Sequence, residues 1–122
     1  MVTESIGIAV ERKASLAIVT IARPDRLNAF NQAMFEALGD AARALSKGTL
    51  PRAVIITGAG SDAFSAGFDV NPDNPMVAEM ARALDRGEKN PITRSIAALR
   101  AAVDRFVALP VPIIAALNGK AY

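Results

Sequence analysis

The sequence predicts an α/β domain with a layered core. Strand-like and helix-like segments alternate along the chain, and 52% of its 122 residues are hydrophobic. A chain of this length buries a sizeable core, and with five Phe and one Tyr that core is mainly aliphatic. This composition excludes a disordered chain, which combines low hydrophobicity with high net charge. No apolar run reaches the roughly 20 residues of a membrane span, and no secretory signal is recognisable, so we expect no membrane partner.

The first fifty residues predict two strands and a helix. Residues 6–10 and 16–21 are strand-like, and the charged and small residues between them predict a hairpin. Pro24 ends the second strand, because proline has no N–H to donate to a sheet. From Gln32 onward, apolar residues at helical spacing predict a helix that Gly48 ends.

The rest of the chain predicts two more strands with helices between them. The β-branched run at residues 53–57 is typical of a buried strand, and residues 113–117 form a similar run. Residues 76–90 predict a weak helix interrupted at Gly87. Pro91 then begins a longer amphipathic helix.

Two absent residue types limit the chemistry. The sequence contains no Cys and no His, so it has no disulfide, thiolate, imidazole base or Ser-His-Asp triad, and we expect no metal site. Its 14 basic and 12 acidic residues are scattered and give a net charge of +2, a pattern that does not predict a nucleic-acid partner. The lack of cysteine is in keeping with a cytoplasmic protein, which we expect.

A glycine-rich segment follows the predicted strand at residues 53–57. Gly58, Gly60 and Ala63 match the dinucleotide fingerprint G-x-G-x-x-[GA], which is typical of NAD(P)-dependent oxidoreductases. That fingerprint requires a long helix that begins at its third small residue. The Asn-Pro-Asp-Asn-Pro run at residues 71–75 would interrupt such a helix. An NAD(P)-dependent oxidoreductase is therefore the less favoured interpretation of this segment.

A second cluster of small residues, Ser65-Ala66-Gly67, follows the aromatic Phe64. Small side chains leave backbone N–H groups open to a ligand. We expect Phe64 to pack inward and the amides after it to act as donors to an oxyanion. The alternative is that the glycines only shape a turn between packed elements, which explains Gly58 and Gly60 but not this second cluster.

Four segments together resemble the enoyl-CoA hydratase/isomerase (crotonase) superfamily. They are residues 21–29 (IARPDRLNA), 54–58 (VIITG), 63–69 (AFSAGFD) and 111–119 (VPIIAALNG). The resemblance covers nearly the whole chain and implies a crotonase-like (ClpP/crotonase) spiral of ββα units whose active site binds an acyl-CoA thioester. It also implies that residues 1–122 are the N-terminal part of a single domain, incomplete at its C-terminus.

By this resemblance, the backbone N–H of Phe68 is a catalytic oxyanion donor, and the Phe68 ring narrows the acyl pocket. The positions implied to bind CoA lie in two loops: Arg26, Leu27, Ala29, Ser65, Ala66, Gly67 and Asp69. Arg26 is a candidate contact for a CoA phosphate, with an ordinary solvated charge as the equal alternative. Asn28 is expected to hold its own loop, and Asp69 to cap or brace the oxyanion segment. No cofactor is implied beyond the coenzyme A of the substrate.

The family's second oxyanion donor and catalytic glutamates have no counterpart in these residues. We therefore expect the chain to be inactive alone. The resemblance implies that the full-length protein hydrates or isomerises an enoyl-CoA as a homotrimer or hexamer. The alternative is a non-catalytic, truncated product that binds CoA or associates with other subunits through its unfinished sheet.

Overall fold

A computed structural model describes the backbone of residues 2–122 and the side chains of residues 4, 6–90 and 93–122. Its strands and helices are, in chain order, β1 (Val2–Ser5), β2 (Ile8–Lys13), β3 (Leu16–Ile21), α1 (Gln32–Leu45), β4 (Ala53–Gly58), β5 (Ala63–Ser65), α2 (Pro75–Asp85), α3 (Asn90–Val107), β6 (Ile113–Ala116) and β7 (Lys120–Ala121). A single 3-10 turn, Pro24–Arg26, follows β3. The predicted alternation of strands and helices is confirmed, with β1, β5 and β7 as additional short strands.

Five strands form the main sheet in the order β1-β2-β3-β4-β6. The first three are antiparallel neighbours, whereas β4 lies parallel to β3 and β6 lies parallel to β4. Parallel neighbours need long connections, and α1 connects β3 to β4 while α2 and α3 lie between β4 and β6. The parallel part of the sheet therefore brings the chain after β3, after β4 and after β6 to one edge.

The predicted hairpin is present, but its turn is shorter than the sequence suggested. Strand β2 continues through the charged residues to Lys13, which lies opposite Leu16. The connection is the pair Ala14-Ser15, and Ala14 adopts a left-handed conformation with φ of 54°. Arg12 and Lys13 are exposed, so the strand continues through them without burying a charge. A further turn at Gly7, with φ of 74°, joins β1 to β2.

The core lies between the main sheet and the helices α1 and α3. Strands and helices both contribute fully buried side chains, among them Ile8, Val19, Val54, Met34 and Leu45. Helix α1 begins at an Asn31 cap, whose side chain accepts a hydrogen bond from the Met34 amide at 3.0 Å. It ends at Leu45, and Gly48 lies in the turn beyond that end.

The other two helices are less buried. Helix α2 buries Ala83 alone and packs mainly against α3. Gly87, with φ of 71°, lies between the two helices, and Pro91 stands at the start of α3 as predicted. No helix within residues 2–122 combines the length and the apolar character that crossing a bilayer requires.

Candidate functional site

The glycine-rich segment after β4 does not lead into a helix. Gly60 turns the chain with φ of 81°, and Ala63 then begins the short strand β5, which pairs with β7. A dinucleotide fingerprint presents its pyrophosphate to a helix N-terminus at this position. The geometry that the oxidoreductase interpretation requires is therefore not present here.

Asn28 holds this segment from one side. It is 1% exposed and adopts a left-handed conformation with φ of 57°. Its Oδ1 accepts a hydrogen bond from the Arg23 amide at 2.9 Å, and its Nδ2 donates to the Ala59 and Ala63 carbonyls at 3.0 and 2.9 Å. The expectation that Asn28 fixes its own loop is confirmed, and the side chain also ties that loop to the segment after β4.

Asn118, just after β6, holds the same segment from the other side. Its Oδ1 accepts from the Gly58 amide at 2.9 Å, and its Nδ2 donates to the carbonyls of Gly60 and Ala63 at 2.8 and 3.0 Å. A Cβ on Gly58 would lie 2.6 Å from the Phe64 carbonyl oxygen and 2.7 Å from Asn118 Oδ1. The lack of a side chain at Gly58 therefore leaves room for the Phe64 carbonyl and the Asn118 side chain.

The next segment, residues 66–69, is pinned by its backbone amides. Three of the four amides donate to oxygens within the protein: Ala66 to the Leu27 carbonyl (3.0 Å), Gly67 to Ser65 Oγ (3.1 Å) and Asp69 to the Phe30 carbonyl (2.8 Å). The Phe30 amide in turn donates to the Gly67 carbonyl at 2.7 Å, which makes a parallel bridge between Phe30 and Phe68.

The fourth amide, that of Phe68, has no acceptor in the part of the chain that the structure describes. In a parallel bridge the flanking residues make the hydrogen bonds, so the Phe68 N–H points away from Phe30. A backbone N–H without a protein partner requires water or a ligand. The Phe68 N–H is thus a hydrogen-bond donor available to a ligand, and the amides on either side of it are held by hydrogen bonds within the protein.

Ser65 and Ala29 support this arrangement from buried positions. Ser65 is 8% exposed, and its hydroxyl donates to the Asn28 carbonyl at 2.9 Å while accepting from the Gly67 amide. Ala29 is also buried, and its carbonyl accepts from the Arg23 guanidinium at 3.1 Å. Both residues stabilise the two loops through these contacts.

A partly buried ion pair joins the two loops. Arg23 donates to Asp69 Oδ2 at 2.8 Å, and Asp69 Oδ1 accepts from the Asn71 amide at 3.0 Å. Burial raises the pKa of Asp69, but the hydrogen bond from Asn71 and the hydrogen bond and charge of Arg23 lower it more, so that its pKa lies below the usual value. The carboxylate stays ionised and braces the segment, as the sequence suggested.

Arg26 borders an open cleft of about 550 Å³ beside these loops. The cleft carries both signs of charge, with Arg23, Glu36, Asp69 and Asp73 also on its walls. Arg26 contacts Asp73 at 3.3 Å in an exposed ion pair. Leu27, the next residue, is 43% exposed and adopts a left-handed conformation.

Phe68 lines a separate apolar cavity of about 300 Å³. Phe30, Phe35 and Phe68 line it together with aliphatic side chains of β4 and α3. The Phe30 and Phe35 rings stack at 5.1 Å between centroids, and Phe68 meets Phe35 edge-on at 5.2 Å. Phe64 also lines the cavity and packs against the core, which confirms its predicted inward position.

The family assignment follows from comparison with known proteins. A family model described as enoyl-CoA hydratase/isomerase matches residues 11–122. This chain belongs to the enoyl-CoA hydratase/isomerase family. It is 34% identical over 108 residues to the 1,2-epoxyphenylacetyl-CoA isomerase of Escherichia coli K12, a match that covers 84% of this chain and 36% of that protein.

Other members of the enoyl-CoA hydratase/isomerase family are similarly close. The crotonyl-CoA hydratase of Syntrophomonas wolfei is 32% identical over 114 residues, which cover 93% of this chain and 39% of that one. The crystal structure of an enoyl-CoA hydratase/carnitine racemase from Magnetospirillum magneticum superposes with a TM-score of 0.78 at 30% identity, covering 95% of this chain and 40% of that one. The predicted α/β class and crotonase-type fold are confirmed. The chain spans 36% to 40% of the length of these three relatives.

Two residues of this candidate site escaped the sequence analysis. Arg23 and Asn118 lie within the resembling segments 21–29 and 111–119, but the sequence pattern assigns neither of them a role. A single charge or an Asn-Gly pair in a loop carries no signal of a distant partner. Their roles depend on Asp69, 46 residues away from Arg23, and on Gly58, 60 residues away from Asn118.

Proposed function

We propose that these residues form one wall of an acyl-CoA thioester site, in which the Phe68 N–H donates to the thioester oxygen. The full-length protein is proposed to be an enoyl-CoA hydratase or isomerase. The observation that carries this proposal is the unpaired Phe68 amide between neighbours that are all hydrogen-bonded. Family membership supports the thioester as the ligand class.

Hydration and isomerisation of an enoyl thioester both place negative charge on the carbonyl oxygen. A donor fixed before the reaction stabilises that charge without reorganising, and one such donor contributes on the order of 3 kcal/mol to transition-state stabilisation. The Ala66, Gly67 and Asp69 hydrogen bonds supply that fixation for Phe68. A backbone donor is indifferent to its side chain, so Phe at this position is compatible with the role.

The CoA moiety is proposed to lie along the loop that contains Arg26. An exposed ion pair contributes at most about 1 kcal/mol, so Arg26 exchanges Asp73 for a CoA phosphate at little cost. Leu27 and Ala66, which a backbone hydrogen bond joins, are proposed to flank the CoA arm. Ser65, Ala29 and Asp69 are proposed to support this site through the contacts described above.

A titration of isotope-labelled protein, followed by NMR, tests the proposal. We expect CoA and butyryl-CoA both to shift the amide of Arg26, and butyryl-CoA alone to move the Phe68 amide proton downfield. Absence of binding, or binding that leaves the Phe68 amide unchanged, would overturn the proposal.

A matched pair of proline variants tests the donor itself. Phe68→Pro removes the proposed donor, whereas Val70→Pro removes an amide that also has no acceptor among the described residues but belongs to a residue 78% exposed. We expect Phe68→Pro to bind butyryl-CoA no better than CoA, and Val70→Pro to keep the difference. Circular dichroism establishes that both variants fold.

We also propose that these 122 residues bind a thioester without converting it, since the family's second donor and glutamates have no counterpart among them. The enoyl absorbance of crotonyl-CoA should stay constant in the presence of the purified chain. Hydration at a measurable rate would contradict this.

A further inference from the structure

Four aromatic rings line the apolar cavity beside Phe68, and two of them, Phe64 and Phe68, are only partly buried. Phe35 is 3% exposed and Phe30 is 9% exposed, and their rings stack on each other. Phe68 meets Phe35 at an interplanar angle of 65° and is less buried than either. A ligand that enters the cavity therefore contacts the partly exposed rings of Phe64 and Phe68.

The remaining lining provides no charge for a ligand. Ile56, Leu99 and Val103 are among its aliphatic members, and none of the charged side chains that the structure describes lines it. Ser65 is its one hydroxyl, and that group already bonds the Asn28 carbonyl and the Gly67 amide. A polar or charged acyl group would lose its hydration here without compensation.

The volume of the cavity suits a compact ring. An apolar cavity of about 150 Å³ is enough to bind benzene, and this one measures about 300 Å³. A phenyl group and the few atoms that join it to a thioester fit within that space.

We propose that this cavity binds an aryl-bearing acyl group and that the Phe68 ring selects it. The inference rests on the proposed acyl-CoA function. Residue 68 carries both the unpaired N–H and one of the two partly exposed rings, so a thioester oxygen bound to the amide holds its acyl group within reach of that ring. Aromatic rings in edge-to-face or offset contact gain energy beyond their buried area, which corresponds to about a two- to tenfold gain in affinity.

Two thioesters of equal skeleton isolate the aromatic contribution. Phenylacetyl-CoA and cyclohexylacetyl-CoA differ only in the saturation of the ring, and isothermal titration gives the affinity of each, with CoA as the baseline. We expect the wild-type chain to bind phenylacetyl-CoA about two- to tenfold more tightly than the cyclohexyl compound.

Phe68→Leu should remove that preference, because the substitution keeps an apolar side chain and deletes the ring. Phe106→Leu is the matched control: Phe106 is 4% exposed in the core and does not line the cavity. We expect the control to keep the preference. Phe68→Met serves where the leucine variant does not fold.

The outcomes separate this inference from the proposed function. Equal affinities of the wild type for the two thioesters, both above that of CoA, overturn the aryl preference and leave the thioester site standing. A preference that survives in the Phe68→Leu or Phe68→Met variant overturns the role of the ring. If neither thioester binds more tightly than CoA, the proposed function itself fails.

Discussion

The loops around Phe68 and the helical pair α2–α3 are held in place by different interactions. In the loops, the buried side chains of Asn28 and Ser65 make hydrogen bonds to backbone carbonyls 31 to 37 residues away along the chain. In the helical pair, Ala83 is the buried residue of α2, and α3 leaves Val103 and Val107 exposed. Directional bonds fix an amide to one position, whereas apolar contacts define only which faces meet.

The charged residues of the two regions show the same contrast. Arg23 and Asp69 form a pair whose side chains are 23% and 7% exposed, within a network that includes the Ala29 carbonyl. On α2, the pair of Arg82 and Glu79 lies at 2.9 Å with side chains 61% and 47% exposed. Exposed pairs contribute little to stability, so the helical pair should tolerate substitutions that the loops do not.

The largest expected effect comes from Asn28→Ala. The variant leaves the Arg23 amide and the Ala59 carbonyl without these partners and leaves the Ala63 carbonyl only its bond from Asn118, so we expect a loss of about 4 kcal/mol in the free energy of unfolding. Urea denaturation followed by circular dichroism measures it. Asn71→Ala, at a partly exposed position outside this network, is the control and should cost far less. Similar losses of unfolding free energy in the two variants would contradict a special stabilising role of the Asn28 hydrogen bonds.

Glycine substitutions compare the two regions directly. Gly58→Ala places a Cβ within 2.7 Å of the Phe64 carbonyl and the Asn118 side chain, and overpacking of this kind should cost about 3 kcal/mol. Gly87→Ala, between α2 and α3, meets open space and pays only for its φ of 71°, about 1 kcal/mol. Thermal unfolding ranks the two variants. The reverse order would contradict the crowding at Gly58.

Asp69→Asn breaks the partly buried ion pair with Arg23 and should lower the free energy of unfolding by about 2 kcal/mol at neutral pH. Because the native pKa of Asp69 lies below its unfolded value, its contribution is present at neutral pH and is lost as the pH falls through that native pKa. The difference between wild type and variant should therefore shrink below about pH 4. Asp85→Asn, at an exposed position of α2, is the control and should change the free energy of unfolding at neutral pH far less.

The smallest effect is expected on the outer face of α3. Val107 is 74% exposed, and Ala is the better helix former, so Val107→Ala should change the free energy of unfolding by less than about 0.5 kcal/mol. The same denaturation experiment measures it. A larger loss would mean that this face is packed against a partner in solution, which would revise the contrast with the loops.

The amino-acid sequence by itself determined the main elements and the family. Local patterns of apolar residues show which face of an element must be buried. Such patterns occur in residues 16–21, in residues 53–57 and in the helix after Gln32. The short strands β5 and β7 carry no such pattern, because two or three residues are too few to show a period. The four segments that resemble the crotonase superfamily indicate the family without reference to any tertiary contact.

Only the tertiary structure decided how the Phe68 amide is left unpaired. That outcome depends on the bridge to Phe30, on the Ser65 hydroxyl taking the Gly67 amide, and on Arg23 meeting Asp69 across 46 residues. Such pairings arise only after the sheet has brought the chain ends of β3, β4 and β6 to one edge. A hydrogen bond specifies two partners at once, and a local sequence pattern describes only one of them.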